Sequence, residues 1–498
     1  MYTITTEEIY HLLRKNQLLM SSSESNSFTN ETLNYLSYDS REIQGTTLFF
    51  CKGVNFKEKL LIDAINQGVT VYLSEIPYAT NAHEILVTDI REAMAVIAQA
   101  FYRQPQDQLI KIAMTGTKGK TTVAYFVHQI LKDAYGPKVA LFSSEETTTD
   151  SINYASSDLT TPEALVLYRQ MAEAVENGLT HLVMEVSSQA YKTKRAFGLT
   201  FEVGIFLNIS PDHISPIEHE TFEDYFLCKQ ELLLNSQQMV INHESDEFNV
   251  LEALCQKHQI PYVTYGDAKA DYQILTAENP RAFQLTSQKD PLVINGNYEL
   301  AMFGTFNHGN ATAALIATAL IQTPRMHMKE SLKKCSVPGR MNLFELKNGA
   351  LAFVDFAHNY LSLVAMGQFA KEIRPNGKAI VVTGSAGGKA ISRRKDMGMA
   401  ISEAYDIAVL TSDDPNFENP EAIADAIQKE IQNPAIPIYR EMTREKAIAL
   451  ALSLASPEDV VVIAGKGTEA SMKVEGKNAP YAGDLFYTQK WISEEVDA

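Results

Sequence analysis

Cysteine is scarce in this chain. The 498 residues hold four, Cys51, Cys228, Cys255 and Cys335, with no C-x-x-C pair. That leaves no spacing for a zinc knuckle or a disulfide framework, so all four are expected to be reduced core thiols. Positive charge is also in short supply, with 43 Lys and Arg against 61 Asp and Glu and a net charge of −18. Without a broad basic stripe, the composition argues against a nucleic-acid partner. No apolar run is long enough to span a bilayer. The start, Met1-Tyr2-Thr3-Ile4-Thr5-Thr6-Glu7-Glu8, lacks the basic and apolar regions of a signal peptide. Together these absences lead to the expectation of a cytoplasmic protein with no membrane partner. The remainder is globular in character, 45% hydrophobic and 21% charged, and long enough for two to four domains. Any anionic ligand must be drawn in by local groups set against an acidic surface.

One such group of residues organises the rest. Leu109-Ile110-Lys111-Ile112-Ala113-Met114 reads as a buried strand. Val123, Ala124, Phe126, Val127, Ile130 and Leu131 then recur at helical spacing until Gly136-Pro137 ends the run. Between strand and helix stands G-x-x-G-K-T-T, two residues shorter than the usual Walker A: Gly116, Thr117, Lys118, Gly119, Lys120, Thr121 and Thr122. A strand, a glycine turn and a helix N-terminus form a phosphate cradle. Backbone N–H groups and the helix dipole face the anion, and the glycines let the backbone approach. Lys120 meets the β/γ-phosphates, and the Thr121 hydroxyl can sit on Mg2+. The plainer reading, a polar connecting loop, gives no reason for a lysine between Gly119 and Thr121.

Residues before this loop read as a small α/β domain, with strands at Leu48–Cys51, Val69–Leu73 and Glu84–Thr88. A helix is expected over Arg91–Phe101, with Met94, Ile97, Ala98 and Phe101 on one face. Ser21–Ser27 is a polar loop without an obvious task, and Gln104–Gln108 reads as a hinge. Tyr38-Asp39-Ser40-Arg41 packs an acid, a hydroxyl and a guanidinium into one turn, which alone is a solvated turn.

After the loop, His181–Val186 reads as a strand carrying Glu185 near its end. An acid at a strand tip downstream of a phosphate loop is where a Mg2+ ligand is expected; the alternative is a glutamate on a sheet edge. His213 follows another apolar strand, and an isolated histidine is usually structural. Lys229 lies within an apolar helical run, Tyr225–Leu234. An unpaired buried ammonium is costly, so the simple reading is a lysine that snorkels outward. Asn307 and Asn310, three apart at the start of an alanine-rich helix, can face the same way and suit a purine edge. An N-cap and a surface asparagine explain them equally well.

A third domain begins near Ser336-Val337-Pro338-Gly339-Arg340. Strands at Leu351–Asp355, Ala379–Thr383, Ile407–Leu410 and Val460–Ile463 alternate with helical runs such as Glu421–Ile431 and Arg444–Leu454. That alternation predicts a doubly wound, mostly parallel sheet. Polar motifs follow directly on the strands: Asp355-Phe356-Ala357-His358, Gly384-Ser385-Ala386-Gly387-Gly388, Asp413-Asp414-Pro415-Asn416 and Gly465-Lys466-Gly467-Thr468-Glu469. Parallel sheets bind ligands at the carboxyl ends of their strands, so these motifs are expected on one rim.

Taken in order, these stations resemble the Mur ligase family over essentially the whole chain. The shared pattern is T-G-T-x-G-K-T-T, T-T-P, E-V-S-S, N-x-x-x-D-H, a lysine in a helix, F-N-x-x-N, P-G-R-M, D-Y-A-H, D-D-P or D-N-P, and G-K-G-x-E. The resemblance implies an α/β protein of three domains: a small UDP-binding domain (1–105), a central P-loop ATPase (106–335) and a Rossmann-like amino-acid domain (336–498). It implies ATP at Gly116–Thr122, with Asn307 and Asn310 at the adenine and Arg340, Asp355 and His358 approaching from the third domain. Thr121, Glu185, His213 and Lys229 would hold Mg2+, Lys229 as a CO2-derived carbamate, and Lys120, Glu185, His213 and Lys229 would be the catalytic set. Ser40 would contact the uridine part, and Thr160, Thr161, Ser187 and Arg195 the muramoyl-dipeptide. Arg394, Asp413, Asp414, Pro415, Asn416 and Glu469 would line the amino-acid pocket.

The implied activity is ATP-dependent addition of a diamino acid to UDP-N-acetylmuramoyl-L-alanyl-D-glutamate through an acyl phosphate, in peptidoglycan precursor synthesis, with a monomer expected. Relatives that add meso-diaminopimelate usually carry arginine where this chain has Asn416. A guanidinium there can pair a second carboxylate, so Asn416 points to L-lysine. Phe356 replaces the usual tyrosine, Asn359-Tyr360 lacks a common proline, Thr468 replaces a common histidine, and Lys118 stands where asparagine is frequent. None of these removes a proton-transfer or metal group. Rival readings are the same reaction with meso-diaminopimelate, a folylpolyglutamate-synthase-like ligase, a P-loop switch and a catalytically silent UDP-sugar binder. The second leaves the N-terminal domain unexplained; the third gives the third-domain rim no substrate.

Overall fold

The apolar runs become the interior strands of parallel sheets. The structure is a computed structural model that describes residues 2–21, 30–53, 56–212, 214–215, 218–388 and 391–497. The chain forms two compact units. The first comprises Met1–Ala277, Ala282–Glu299 and His308–Leu332; the second comprises Glu278–Arg281, Leu300–Asn307 and Lys333–Ala498.

The first unit is built on an 11-stranded sheet. Its parallel centre runs Val139–Phe142, His181–Glu185, Ile110–Thr115, Val203–Phe206, Met239–Asn242, Tyr262–Gly266, Tyr272–Thr276. Antiparallel strands complete both edges. Parallel strands are covered on both faces and read as unbroken apolar runs, as Val139–Phe142 and Val203–Phe206 do, every residue buried. The phosphate-loop strand lies between His181–Glu185 and Val203–Phe206, in a register that places Glu185 beside Met114 and Phe206 beside Thr115. The polar tails of all three strands therefore leave the sheet on one rim.

The N-terminal part adds a four-stranded parallel sheet: Tyr35–Ser37, Thr47–Phe50, Val71–Ser74 and His83–Leu86. Helix Thr6–Lys15 opens on a capping box between Thr5 and Glu8. Helix Ile90–Phe101 starts at Asp89, whose carboxylate accepts from Arg91 N and Glu92 N. It buries Met94, Ile97, Ala98 and Phe101, as their spacing requires. These join Tyr168, Met171 and Met184 in one hydrophobic core, so the small sheet and the large one belong to the same unit. The segment read as a hinge is a 3₁₀ turn, Pro105–Gln108, with Pro105 and Gln106 buried.

The second unit holds a six-stranded sheet in the order Asn342–Glu345, Leu351–Asp355, Val460–Ala464, Ala379–Thr383, Ile407–Leu410, Ile438–Arg440. All pairs are parallel except the first. Helices Tyr360–Ile373, Ser392–Ala404, Pro420–Gln428 and Arg444–Leu454 follow in βα alternation. Fully burying each Val or Ile of these strands stabilises the unit by roughly 1.5–3 kcal/mol. The four cysteines are free thiols. Among the described residues, no helix is long and apolar enough to cross a membrane.

Candidate active site

The loop after Ile110–Thr115 is gripped from its neighbours in the sheet. Asn208 is the clamp: its Oδ1 accepts from Lys118 N at 2.8 Å and its Nδ2 donates to Lys118 O at 3.1 Å. Thr117 N donates to the Asn208 carbonyl at 3.0 Å. Thr117 Oγ1 accepts from Ser210 N at 3.0 Å and lies 3.1 Å from the Tyr225 hydroxyl. Space is tight enough to require glycine. A Cβ on Gly116 would sit 3.0 Å from Leu207 Cβ, and one on Gly119 only 2.5 Å from Asn310 Oδ1.

Two lysines meet at this loop. Lys120 Nζ donates to the Gly116 carbonyl at 2.9 Å, and Lys229 Nζ, from helix Phe222–Leu234, donates to the same oxygen at 2.8 Å. Lys118 pairs with Asp212 at 3.5 Å. Lys229 is 2% exposed. Burial first, then the charges of Lys120 and Lys118, hold its pKa well below the ordinary lysine value, with Asp212 opposing them. Its helix therefore does not let it snorkel; the ammonium-bearing end points inward. Cations sharing one neutral carbonyl at a helix N-terminus make a site prepared for an anion. His213 lies outside the described residues.

Glu185 is fully buried at the tip of an interior strand, which removes the sheet-edge alternative. Its carboxylate accepts from Ser144 N at 2.8 Å and lies 3.0 Å from Ser144 Oγ, which in turn is 2.9 Å from Thr160 Oγ1. Thr161 Oγ1 donates to the Glu185 carbonyl at 3.0 Å and accepts from Ser187 N at 3.1 Å. Arg195 Nη1 donates to Thr161 O at 3.2 Å. Next to them, Glu163 gathers three cations: Lys52 at 2.8 Å, Arg195 at 3.2 Å and Arg91 at 3.7 Å. Burial opposes the Glu163 charge, but Lys52, Arg195 and Arg91 together keep its pKa below the ordinary glutamate value. Ser40 is buried, with its carbonyl accepting from Gln67 Nε2 at 2.7 Å, in a turn that Asp39 and Arg41 clasp through paired hydrogen bonds.

In the second unit, the motifs that follow the strands do meet. Phe356, His358, Gly384, Ser385, Ala386, Arg393, Asp413, Asp414, Gly465 and Glu469 surround a cavity of about 150 Å³. Lys466 is ion-paired with Asp414 at 2.9 Å and also with Glu469. Behind it, Arg444 is held by Asp484 through two bonds of 2.7 Å and lies 3.9 Å from Asp413. Asp413 is largely buried, and burial pushes its pKa up to about 6 against the pull of Arg444 and Lys466.

Residues 114–318 match the Mur ligase middle domain, and residues 339–467 match the Mur ligase glutamate ligase domain. A UDP-N-acetylmuramoyl-L-alanyl-D-glutamate--L-lysine ligase of Enterococcus faecalis is 48% identical over 466 residues, covering 92% of both chains. The chain belongs to the Mur ligase family. Another ligase of the same name, from Streptococcus agalactiae serotype Ia, is 44% identical over 93% of both chains. Among solved structures, a UDP-N-acetylmuramoyl-L-alanyl-D-glutamate--2,6-diaminopimelate ligase superposes on this Mur ligase with a TM-score of 0.65 at 24% identity, covering 96% of this chain and 99% of its own. That likeness shows the fold.

Within this Mur ligase the structure sorts the expected residues. It brings Lys120 and Lys229 together, Glu185 together with Thr160, Thr161, Ser187 and Arg195, and Asp413 with Asp414, Glu469 and His358. Arg394 is not at the cavity. Its guanidinium pairs with Glu418 through two bonds of 2.7 Å, and the neighbouring Arg393 lines the space instead. Asn416 also turns away: its Oδ1 accepts from Gly476 N at 2.9 Å, and its own N donates to Lys473 O at 2.8 Å. Asn307 Nδ2 donates to Phe303 O at 2.7 Å, Asp355 accepts from Met341 N at 2.9 Å, and the Arg340 guanidinium lies 4.7 Å from the Phe356 ring centre. Asn208, Glu163, Lys52, Arg393, Arg444 and Lys466 escaped the sequence reading of roles. Asn208 stands within N-x-x-x-D-H and Glu163 directly after T-T-P, so adjacency to a motif was the available signal. Arg444 had none.

Proposed function

We propose that this Mur ligase joins L-lysine to UDP-N-acetylmuramoyl-L-alanyl-D-glutamate, consuming ATP. The observation that carries the reading is the meeting of Lys120 and Lys229 on the Gly116 carbonyl. Residues 1–105 serve the UDP end, 106–335 the ATP, and 336–498 the amino acid. The terminal carboxylate of the dipeptide attacks the γ-phosphorus, forming an acyl phosphate as ADP leaves. The amine of lysine then attacks the acyl carbon, phosphate departs, and the amine's proton is lost. Lys120 offsets charge on the phosphate oxygens, the Asn208-braced loop orients them, and Thr160, Thr161, Ser187 and Arg195 position the dipeptide.

Mg2+ takes oxygen donors, and the buried Glu185 carboxylate and Thr121 hydroxyl beside the loop fit that demand. When bound, the ion neutralises phosphate charge. A depressed lysine pKa supplies the neutral amine that attacks CO2, releasing a proton as the carbamate forms at Lys229 Nζ. The resulting anion is attracted by the Lys120 ammonium and adds an oxygen donor. Asp413, Asp414 and Glu469 line the amino-acid cavity and outnumber its cations, Arg393 on the wall and Lys466 paired with Asp414 and Glu469, an acid excess that suits the ammonium of lysine. Asn416 adds no positive charge for a second carboxylate. Initial rates with lysine and meso-diaminopimelate at equal concentration test the choice, and lysine is expected to be faster by at least ~10-fold, the scale set by one charged contact. Faster turnover of diaminopimelate would refute it.

A further inference from the structure

Between the Glu185 strand and the Lys229 helix lie three side chains in serine-hydrolase order. Ser188 Oγ is 2.9 Å from His219 Nε2, and His219 Nδ1 is 2.8 Å from Asp224 Oδ2. Asp224 accepts only, so His219 Nδ1–H donates to it, and in the neutral imidazole Nε2 then accepts from the Ser188 hydroxyl. The order is that of a nucleophilic triad, but the setting is not. Ser188 is 5% and His219 0% exposed, so no ester or amide reaches the hydroxyl. A metal site is disfavoured too. His219, Asp224 and Cys228 converge, but the Lys192 ammonium already sits 2.6 Å from Asp224 Oδ2.

What the constellation does is join elements. Ser188 opens the short helix Ser188–Lys192 directly after Glu185-Val186-Ser187, and Asp224 lies in the first turn of helix Phe222–Leu234. The next residue, Tyr225, packs edge-on to the His219 ring with centroids 5.3 Å apart. Its hydroxyl is 3.1 Å from Thr117 Oγ1 in the phosphate loop, and its ring centre is 4.8 Å from Lys229 Nζ. We propose that Ser188, His219 and Asp224 form a buried positioning relay that fixes, through Tyr225, where Lys229 stands relative to Glu185 and the phosphate loop. The relay rests on the ligase reading above and adds residues to it; it touches no substrate.

The test compares full-length wild type, His219→Gln, Asp224→Asn, Ser188→Ala and Lys229→Ala. Rates are normalised to the fraction of protein that binds ATP. His219→Gln is expected to lose about 10- to 100-fold in kcat, the penalty of a misplacement near 1 Å, with KM for ATP and lysine within about 2-fold. Ser188→Ala, which keeps the His219–Asp224 bond, should lose less. Carbon-13 bicarbonate then reads Lys229 directly: a carbamate signal in wild type, absent in Lys229→Ala and weakened in His219→Gln. An absent wild-type signal counts against the carbamate alone, since the kcat loss at intact binding still reports the relay. Normal kcat per ATP-binding site in His219→Gln overturns the proposal, as does tightly retained zinc in wild type that Cys228→Ser releases.

Discussion

Lys229 is a buried lysine that shares one carbonyl oxygen, that of Gly116, with a second lysine, Lys120. In an apolar helix a lysine is ordinarily a surface group with a buried stem. Here the whole side chain is enclosed, and its nitrogen finds the Gly116 carbonyl and lies 3.4 Å from Thr115 Oγ1. Enclosing an ammonium beside a second ammonium is unfavourable by several kcal/mol unless the group is neutral or becomes an anion. The position is therefore explained by chemistry and not by packing. Replacing Lys229 with Ala should lower turnover by at least ~100-fold, the scale of a lost charge stabiliser. Short carboxylic acids, which can occupy the vacated space as anions, should restore part of it. Phosphate release with both substrates present measures the effect. An alanine variant that keeps its rate removes Lys229 from the mechanism.

At the scale of elements, the glycine turn between strand and helix is held by geometry as much as by sequence. Gly119 has φ of 86°, a conformation that costs a side-chain-bearing residue about 1–2 kcal/mol, and its missing Cβ leaves room for the Asn310 amide. Gly119→Ala should therefore weaken ATP binding by roughly 10-fold or more while lowering unfolding stability by about 1–3 kcal/mol. Calorimetric titration with ATP and urea unfolding separate the two; unchanged affinity would show that the loop tolerates a side chain. Elements of this kind were legible from the sequence because they are local. Runs such as Ile407–Leu410 and Val460–Ala464 announce buried parallel strands, and Met94, Ile97, Ala98 and Phe101 announce a helix face. Tyr35–Ser37 was not legible, because three residues carry no periodicity. Partnerships across the chain were not legible either. Nothing near Asn208 says that it braces Lys118, and nothing near Arg394 says that Glu418 will take its guanidinium. The Asp413-Asp414-Pro415-Asn416 turn shows the same limit: both Asp414 and Asn416 adopt left-handed φ, 44° and 53°, which turns Asn416 toward the hairpin and leaves Asp414 at the cavity.

At the scale of the whole molecule, the two units each own a core, and each contains a buried titratable group of opposite behaviour. In the first, His128 is pushed down to about 4 by burial and then by Lys132. Between pH 4 and 6.5 the unfolded chain binds the proton that native His128 refuses, so stability is full above 6.5 and falls as the pH drops. In the second, Asp413 is raised to about 6 by burial. Between its ordinary value near 3.8 and 6, the folded unit binds the extra proton, so stability falls as the pH rises through that window. Each shift corresponds to about 3 kcal/mol when fully developed, at 1.36 kcal/mol per pH unit. Scanning calorimetry of the full chain between pH 5 and 7 should therefore show His128→Gln and Asp413→Asn changing the pH slope of unfolding in opposite directions. The first variant should flatten the loss of stability on acidification, and the second should steepen it. Equal slopes in wild type and both variants would mean that neither buried group changes its proton affinity on folding.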